Sequence, residues 1–375
     1  MLAISEEISV IASCVFGISL ISTIFLIPII NKIGIKFNLI DKPNKRKVHK
    51  VNIVRIGGLG IIIGYLLGSL SFIFINNYFN FTEINYKIFL LLILGSLGYF
   101  LIGFFDDIYN YSPFKRLILQ IILSSIIFAN GLQINTINIG WIDTNFDNII
   151  LNNLLSYFFV IIWIVGLTNA LNWIDGLDGL AAGISTIIIL TFCCFYLSNE
   201  SWDILFLLLA LCGSIIGFLR YNIYPAKILM GDGGSYLLGS NLGIASLLGL
   251  TNKEQYFGLI NNQNLNILSI NLALIIMLIP IADMTFVILN RIKNSRSPFY
   301  PDKTHFHHKL LKVGFHPRKS VMIFYGLQMS LSCIAILISG LKAKVFYICL
   351  ALIFISLSFL YIFNMKDYLD NNKEI

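Results

Sequence analysis

The 375-residue chain is 57% hydrophobic and only 12% charged, and apolar runs long enough to cross a bilayer recur from end to end. A soluble fold of this length cannot hide so much apolar surface. The net charge of +7 belongs to loops that would face anionic lipid headgroups, so it does not argue for nucleic-acid binding.

The hydropathy pattern predicts an all-α fold, a single domain over 1–375 built as a polytopic transmembrane helical bundle. Eleven spans are predicted, near 8–30, 56–76, 87–105, 117–130, 149–168, 180–198, 203–220, 235–250, 269–290, 321–340 and 345–364, with ten as the nearest other count. The first run has no early small-residue cleavage site and leads into a basic loop, which predicts a retained span. The fourth and eighth are short for an apolar core about 30 Å thick, so each is expected to borrow flanking residues or to pack inside the bundle. The six cysteines all fall in apolar spans without metal-ligand spacing and read as small buried hydrophobes.

Orientation follows from the basic residues. With the N-terminus outside, the loops 31–55, 104–116, 169–179, 220–234, 291–320 and the tail from 365 hold 22 of the 26 Lys and Arg. The opposite loops hold Lys87, Lys253, Lys342 and Lys344. Cytoplasmic loops retain positive charge during insertion, so the first set is predicted to be cytoplasmic, and an odd span count places the C-terminus inside. All five histidines fall on that side, and its acids ahead of the tail are all aspartate. A transporter would instead be expected to place ionisable groups near the bilayer midplane.

Five polar clusters follow one another along the cytoplasmic side. The first is the basic loop that includes Lys47 and His49 and runs to Arg55-Ile56-Gly57-Gly58; alone it reads equally as an ordinary positive-inside loop. The second is Asp106-Asp107 at the inner end of the third span. Each carboxylate costs roughly 2.5–3.5 kcal/mol at the bilayer centre and less toward the interface, so the pair calls for a cation unless it is a solvated helix end before the turn Asn110-Tyr111-Ser112-Pro113.

The third cluster runs from Asn169 to Leu180 as Asn-Ala-Leu-Asn-Trp-Ile-Asp-Gly-Leu-Asp-Gly-Leu. If it is helical, Asn172, Asp175 and Asp178 line one face; Gly176 and Gly179 equally permit a turn. Such amides and carboxylates suit a ribose, a base edge or a hydrated metal, with an interhelical cap as the plainer reading. The fourth, from Asn222 through Leu229 to Met230-Gly231-Asp232-Gly233-Gly234-Ser235, opens a helix whose free N–H groups suit a phosphate or Mg²⁺-phosphate, although a simple turn fits the glycines as well. The fifth is Asp302-Lys303-Thr304-His305-Phe306-His307-His308-Lys309. Adjacent His307 and His308 rarely reach one zinc ion together, so phosphate binding fits better, with a lipid-headgroup contact as the other reading.

In this order the five clusters resemble the polyprenyl-phosphate N-acetylhexosamine-1-phosphate transferase family, over about residues 41–320. Asp41-Lys42-Pro43 and the string from His305 to Leu311 are similar to the branch that uses UDP-N-acetylglucosamine, the alternative being the branch that uses UDP-muramoyl-pentapeptide. Two positions depart from the pattern: Val54 stands where relatives often have Pro, and Leu229 where they often have an aromatic that can stack on uracil.

The resemblance implies transfer of N-acetylglucosamine 1-phosphate from UDP-N-acetylglucosamine to undecaprenyl phosphate with release of UMP, in a multi-pass protein of the inner (plasma) membrane whose site faces the cytoplasm. That reaction opens a cell-envelope glycan such as lipopolysaccharide or teichoic acid. The implied catalytic residues are Asp106, Asp107, Asp175, Asp178, His305, His307 and His308. Lys47, His49, Arg55, Asn169, Asn172, Asn222, Leu229 and Lys309 are implied in substrate binding, and Asp232 with Asp175 in holding Mg²⁺, with Mn²⁺ as a substitute. A homodimer is compatible with this reading. The competing class is a transporter or lipid-binding scaffold, which leaves the aspartates unexplained. A CDP-alcohol phosphotransferase would need an Ala-Arg pair after its first Asp-Gly, where this chain has Leu180-Ala181-Ala182-Gly183.

Overall fold

The computed structural model of the chain describes residues 6–42, 51–134, 138–139, 142–143, 149–249, 270–299 and 304–339. Helices dominate: α1 (Glu6–Lys36), α2 (Gly58–Phe79), α3 (Tyr86–Tyr109), α4 (Pro113–Ala129), α5 (Ile149–Ile174), α6 (Leu180–Ser198), α7 (Trp202–Asn222), α8 (Gly231–Leu248), α9 (Ile270–Ile276), α10 (Leu278–Lys293), α11 (Phe306–Lys312) and α12 (Pro317–Ile338). Among the described residues, strands are confined to two short antiparallel pairs, β1 (Ile40–Asp41) with β2 (Ile53–Val54) and β3 (Asn138–Ile139) with β4 (Ile142–Asp143).

Local chemistry sets the helix ends. Asn85 caps α3 by accepting from the Lys87 and Ile88 N–H groups, and α3 stops at Asn110, whose φ of 50° a non-glycine residue tolerates best when it is asparagine. Ser112 then caps α4 by accepting from the Lys115 N–H, and Pro113 supplies the fixed φ of a first helical position. The turn expected at 110–113 is therefore formed.

Seven described helices are long and apolar enough to cross a bilayer, or eight if the bent pair α9–α10 counts as one. Of the predicted spans that fall on described residues, the two that looked short do not qualify. With 17 residues, α4 borrows 113–116 ahead of its predicted start and is still short, while the 18-residue α8 is rich in glycine and serine and is buried from Gly233 onward. It packs against α3 and α5, with α6 and α7 completing a buried centre, while α1 and α2 leave broad apolar faces for lipid. The ninth predicted span is broken: α9 and α10 meet at 78°. The Ile276 carbonyl freed near that break accepts a 2.7 Å hydrogen bond from the Gln328 amide, the kind of satisfaction a broken helix needs in an apolar medium. The predicted span 345–364 lies outside the described residues.

Tight approaches surround α8. A Cβ on Gly103 of α3 would lie 2.3 Å from the Asp232 carbonyl oxygen, and one on Gly58 of α2 would lie 2.4 Å from the Gly234 nitrogen. Small residues let helix backbones close up where apolar burial gives little net drive. Cys14, Cys193, Cys212 and Cys333 are free thiols, whereas Cys194 is disulfide-bonded, so the reading of all six as simple apolar fillers fails at that position.

Candidate active site

The start of α8 is held by backbone pairing. Val54 in β2 bridges Ile228, the Leu229 N–H donates to the Val54 carbonyl at 2.8 Å, and the Gly57 and Gly58 N–H groups donate to the Leu229 and Met230 carbonyls at 2.9 and 2.8 Å. This seam ties the Arg-Ile-Gly-Gly string to the Met-Gly-Asp-Gly-Gly-Ser string. It turns at Gly231, where φ is +74° and a Cβ would meet the Arg55 carbonyl oxygen at 2.1 Å, so glycine is required on two counts.

The adjacent aspartates of α3 meet the helix start differently. Asp107 accepts from the backbone N–H groups of Asp232 at 3.0 Å and Gly233 at 3.1 Å, and it pairs with the Arg55 guanidinium. Asp106 accepts from the Tyr111 N–H at 2.8 Å and pairs with Arg116 of α4 at 2.9 Å. The cation that the Asp-Asp pair called for is thus a separate arginine for each carboxylate. Asp232 stands between them. Its Oδ1 accepts from the Asn172 amide at 2.8 Å, and its Oδ2 lies 3.8 Å from both Arg55 and Arg116.

The third cluster is helical only through Ile174, where α5 ends, and then turns, so its polar residues part company. Asn172 reaches Asp232 and Ser235, whereas Asp178 accepts from the Ala226 N–H at 3.0 Å. Asn222 joins two loops, accepting from the Gly179 N–H at 3.0 Å and donating to the Ile228 carbonyl at 2.9 Å. Asn169 donates to Gln120 of α4 at 2.7 Å. These three side chains shape the site through its walls.

The histidine string packs against the end of the third cluster. A Cβ on Gly176 would lie 2.2 Å from His307 Nε2, which places that ring beside the Asp175-Gly176 turn. The ring of His305 stacks on His307 at 5.5 Å and meets Trp173 edge-on at 6.2 Å, while His307 and His308 are 4.3 Å apart. His307 is buried with neither ring nitrogen hydrogen-bonded, and burial, followed by the neighbouring His308 and His305, pushes its pKa down to about 3. Its ring is therefore neutral at physiological pH. The Lys309 ammonium lies over the Phe286 ring at 3.6 Å, a cation–π contact at the edge of the cluster. Leu229 is half-buried in the seam. Lys47 and His49 lie outside the described residues.

Two contributors were not singled out from sequence. Arg116 reads in the sequence only as a basic loop residue, yet it bridges Asp106 and Asp232. Asp283 of α10 is 1% exposed, and its carboxylate accepts from His305 Nδ1 and the Phe306 N–H, both at 2.7 Å. An acid inside an apolar predicted span is a functional signal in its own right and would have located Asp283.

Among the described residues no three His, Cys, Asp or Glu side chains form a ready metal cage. Mg²⁺ commonly takes one or two carboxylates and completes its shell with substrate phosphates and water, and the hard oxygens here suit that mode. Asp232 Oδ2 is open to it. Asp175, half-buried by surface area, is pushed up to about 8 by its desolvated position and then by the charges of Asp232, Asp178 and Asp107, a surplus that a divalent ion would offset.

Residues 89–250 match the model of glycosyl transferase family 4. The chain is 36% identical over 359 residues, 96% of its own length and 92% of the relative's, to a probable undecaprenyl-phosphate N-acetylglucosaminyl 1-phosphate transferase of Bacillus subtilis. It is 32% identical to a decaprenyl-phosphate N-acetylglucosaminephosphotransferase of Mycolicibacterium smegmatis, over 81% of this chain and 76% of that protein. A phospho-N-acetylmuramoyl-pentapeptide-transferase of Prochlorococcus marinus is 33% identical over 62% of this chain and 65% of its own.

Proposed function

The chain belongs to glycosyl transferase family 4, and from that membership we propose that it transfers N-acetylglucosamine 1-phosphate from UDP-N-acetylglucosamine to undecaprenyl phosphate, releasing UMP. An oxygen of the acceptor phosphate attacks the sugar-bearing phosphorus, the bond from that phosphorus to the bridging oxygen breaks, and UMP leaves with that oxygen. Two anions must meet, so electrostatic stabilisation and alignment carry the catalysis. The observation that supports this reading most is the convergence of Arg55 and Arg116 on Asp232 Oδ2, at 3.8 Å each, over the N-terminus of α8.

Arg55 and Arg116 offset phosphate charge while Asp107 and Asp106 hold their side chains in place. Asp232 and Asp175 would hold Mg²⁺, which when bound supplies the positive charge that draws the two phosphates together. Asn172 fixes the Asp232 carboxylate from one side. A phosphate monoester with a second pKa near 6 is already largely dianionic at neutral pH, so the acceptor needs no strong base. The site faces the cytoplasm of the plasma membrane, with the N-terminus outside and the C-terminus inside, a reading supported by the 22 of 26 basic residues on one side.

The muramoyl-pentapeptide reading draws on a similarity that spans less of the chain than the N-acetylglucosamine one, 62% against 96%. Purified protein given undecaprenyl phosphate, Mg²⁺ and either donor is expected to release UMP from UDP-N-acetylglucosamine far faster than from UDP-muramoyl-pentapeptide. Preference for the peptide-bearing donor would move the chain to the other branch.

A further inference from the structure

The reaction as proposed leaves Asp283 unused, although it is among the most enclosed carboxylates of the described residues. It lies on α10, just past the 78° break, and is 1% exposed. Burying a carboxylate there is costly unless its lone pairs are engaged. Both oxygens are engaged at the entrance of α11: Oδ2 by His305 Nδ1 at 2.7 Å and Oδ1 by the Phe306 N–H at 2.7 Å. An ionised carboxylate only accepts, and with Asp283 in that form the hydrogen bond at Oδ2 needs its proton on Nδ1.

We propose that Asp283 is the positioning residue of the His305 imidazole: its buried carboxylate fixes the ring in the tautomer protonated at Nδ1 and pins the first turn of α11, leaving Nε2 for the donor's diphosphate. This rests on the phosphotransfer reading of the site. Nε2 must carry a second proton to donate to an anionic oxygen, and Asp283 then supplies the balancing charge from within the span. The ring's position is set on its other sides by Trp173, edge-on at 6.2 Å, and by His307, stacked at 5.5 Å. His307 has no hydrogen-bond partner at either nitrogen, so among these two stacked rings only His305 is anchored by a carboxylate.

Asp283→Asn tests the assignment. An asparagine that keeps the Phe306 N–H on its oxygen turns its NH₂ toward His305, which forces the neutral ring to move its proton to Nε2. The expected result is a turnover rate lower by roughly 10²-fold together with a raised KM for UDP-N-acetylglucosamine, since the ring that faces the donor's diphosphate is misplaced. Nitrogen-15 NMR of histidine-labelled protein at alkaline pH, with His305 assigned by its loss in His305→Gln, should report Nδ1–H in wild type and Nε2–H in Asp283→Asn. Asp283→Glu, which keeps the charge, should retain Nδ1–H and recover part of the rate. An unchanged tautomer in Asp283→Asn overturns the proposal, as does a shifted tautomer with an unchanged rate. If Asp283→Asn does not fold, an Nε2–H tautomer in folded Asp283→Glu overturns it. The tautomer is read without turnover, so a wild-type protein inactive on the nucleotide sugar would defeat the proposed reaction and leave this measurement standing.

Discussion

Asp107 and Asp232 bring the same carboxyl group to one helix start, and their surroundings give them different work. Asp107 is engaged on both oxygens by backbone N–H groups and pairs with an arginine, so it fastens α3 to α8. Asp232 is 22% exposed at its side chain and offers Oδ2 to two guanidinium groups beyond hydrogen-bonding distance, so it is free to take a ligand. Asp232→Asn keeps the size and the Oδ1 acceptor for Asn172. It is expected to lose roughly 10²-fold or more in turnover while thermal stability stays near wild type. The exposed Glu83, in the loop between α2 and α3, gives Glu83→Gln as the matched control. UMP release measured against Mg²⁺ concentration checks both, and an Asp232→Asn protein with unchanged rate and metal dependence would remove this residue from the site.

At the scale of elements, the site depends on how closely α3 can approach α8. Gly103→Ala puts a methyl group 2.3 Å from the Asp232 carbonyl oxygen, where backbone and not a flexible side chain must move. We expect a stability loss of about 1–3 kcal/mol together with reduced turnover, because the displacement moves Asp232 away from Arg55 and Arg116. Thermal unfolding and UMP release on the same preparation measure both, and a variant normal in each would show that the approach has slack. The residues of this junction were legible as clusters because charge and glycine are conspicuous in an apolar chain. Their directions were not. Asp178 shares a motif with Asn172 and Asp175, yet it bonds to Ala226, since a turn after Ile174 sends neighbouring side chains to different walls; Asn169, earlier on α5, bonds to Gln120, and Asn222 of the fourth cluster to Gly179. Arg116 and Asp283 escaped notice for a related reason: each sits away from the string it serves and is joined to it only by tertiary packing.

For the molecule as a whole, sequence conveyed the helical membrane character well and the number of spans less well. Hydropathy marks an apolar stretch but cannot tell lipid contact from protein contact, and α8 shows the difference: it is buried by neighbouring helices and carries Asp232 into the bundle's polar end. The same arrangement lets one compact junction draw on α3, α4, α5 and α8 together with the first loop. In the proposed function this junction moves a phosphosugar and does so from the cytoplasmic side. Sealed inside-out and right-side-out membrane vesicles containing the protein and undecaprenyl phosphate, given UDP-N-acetylglucosamine labelled with phosphorus-32 at the β-phosphate, test it directly. Label is expected in the lipid diphosphate, with unlabelled UMP, from inside-out vesicles alone; labelled UDP with an unlabelled lipid product, or equal transfer from right-side-out vesicles, would overturn the proposed reaction.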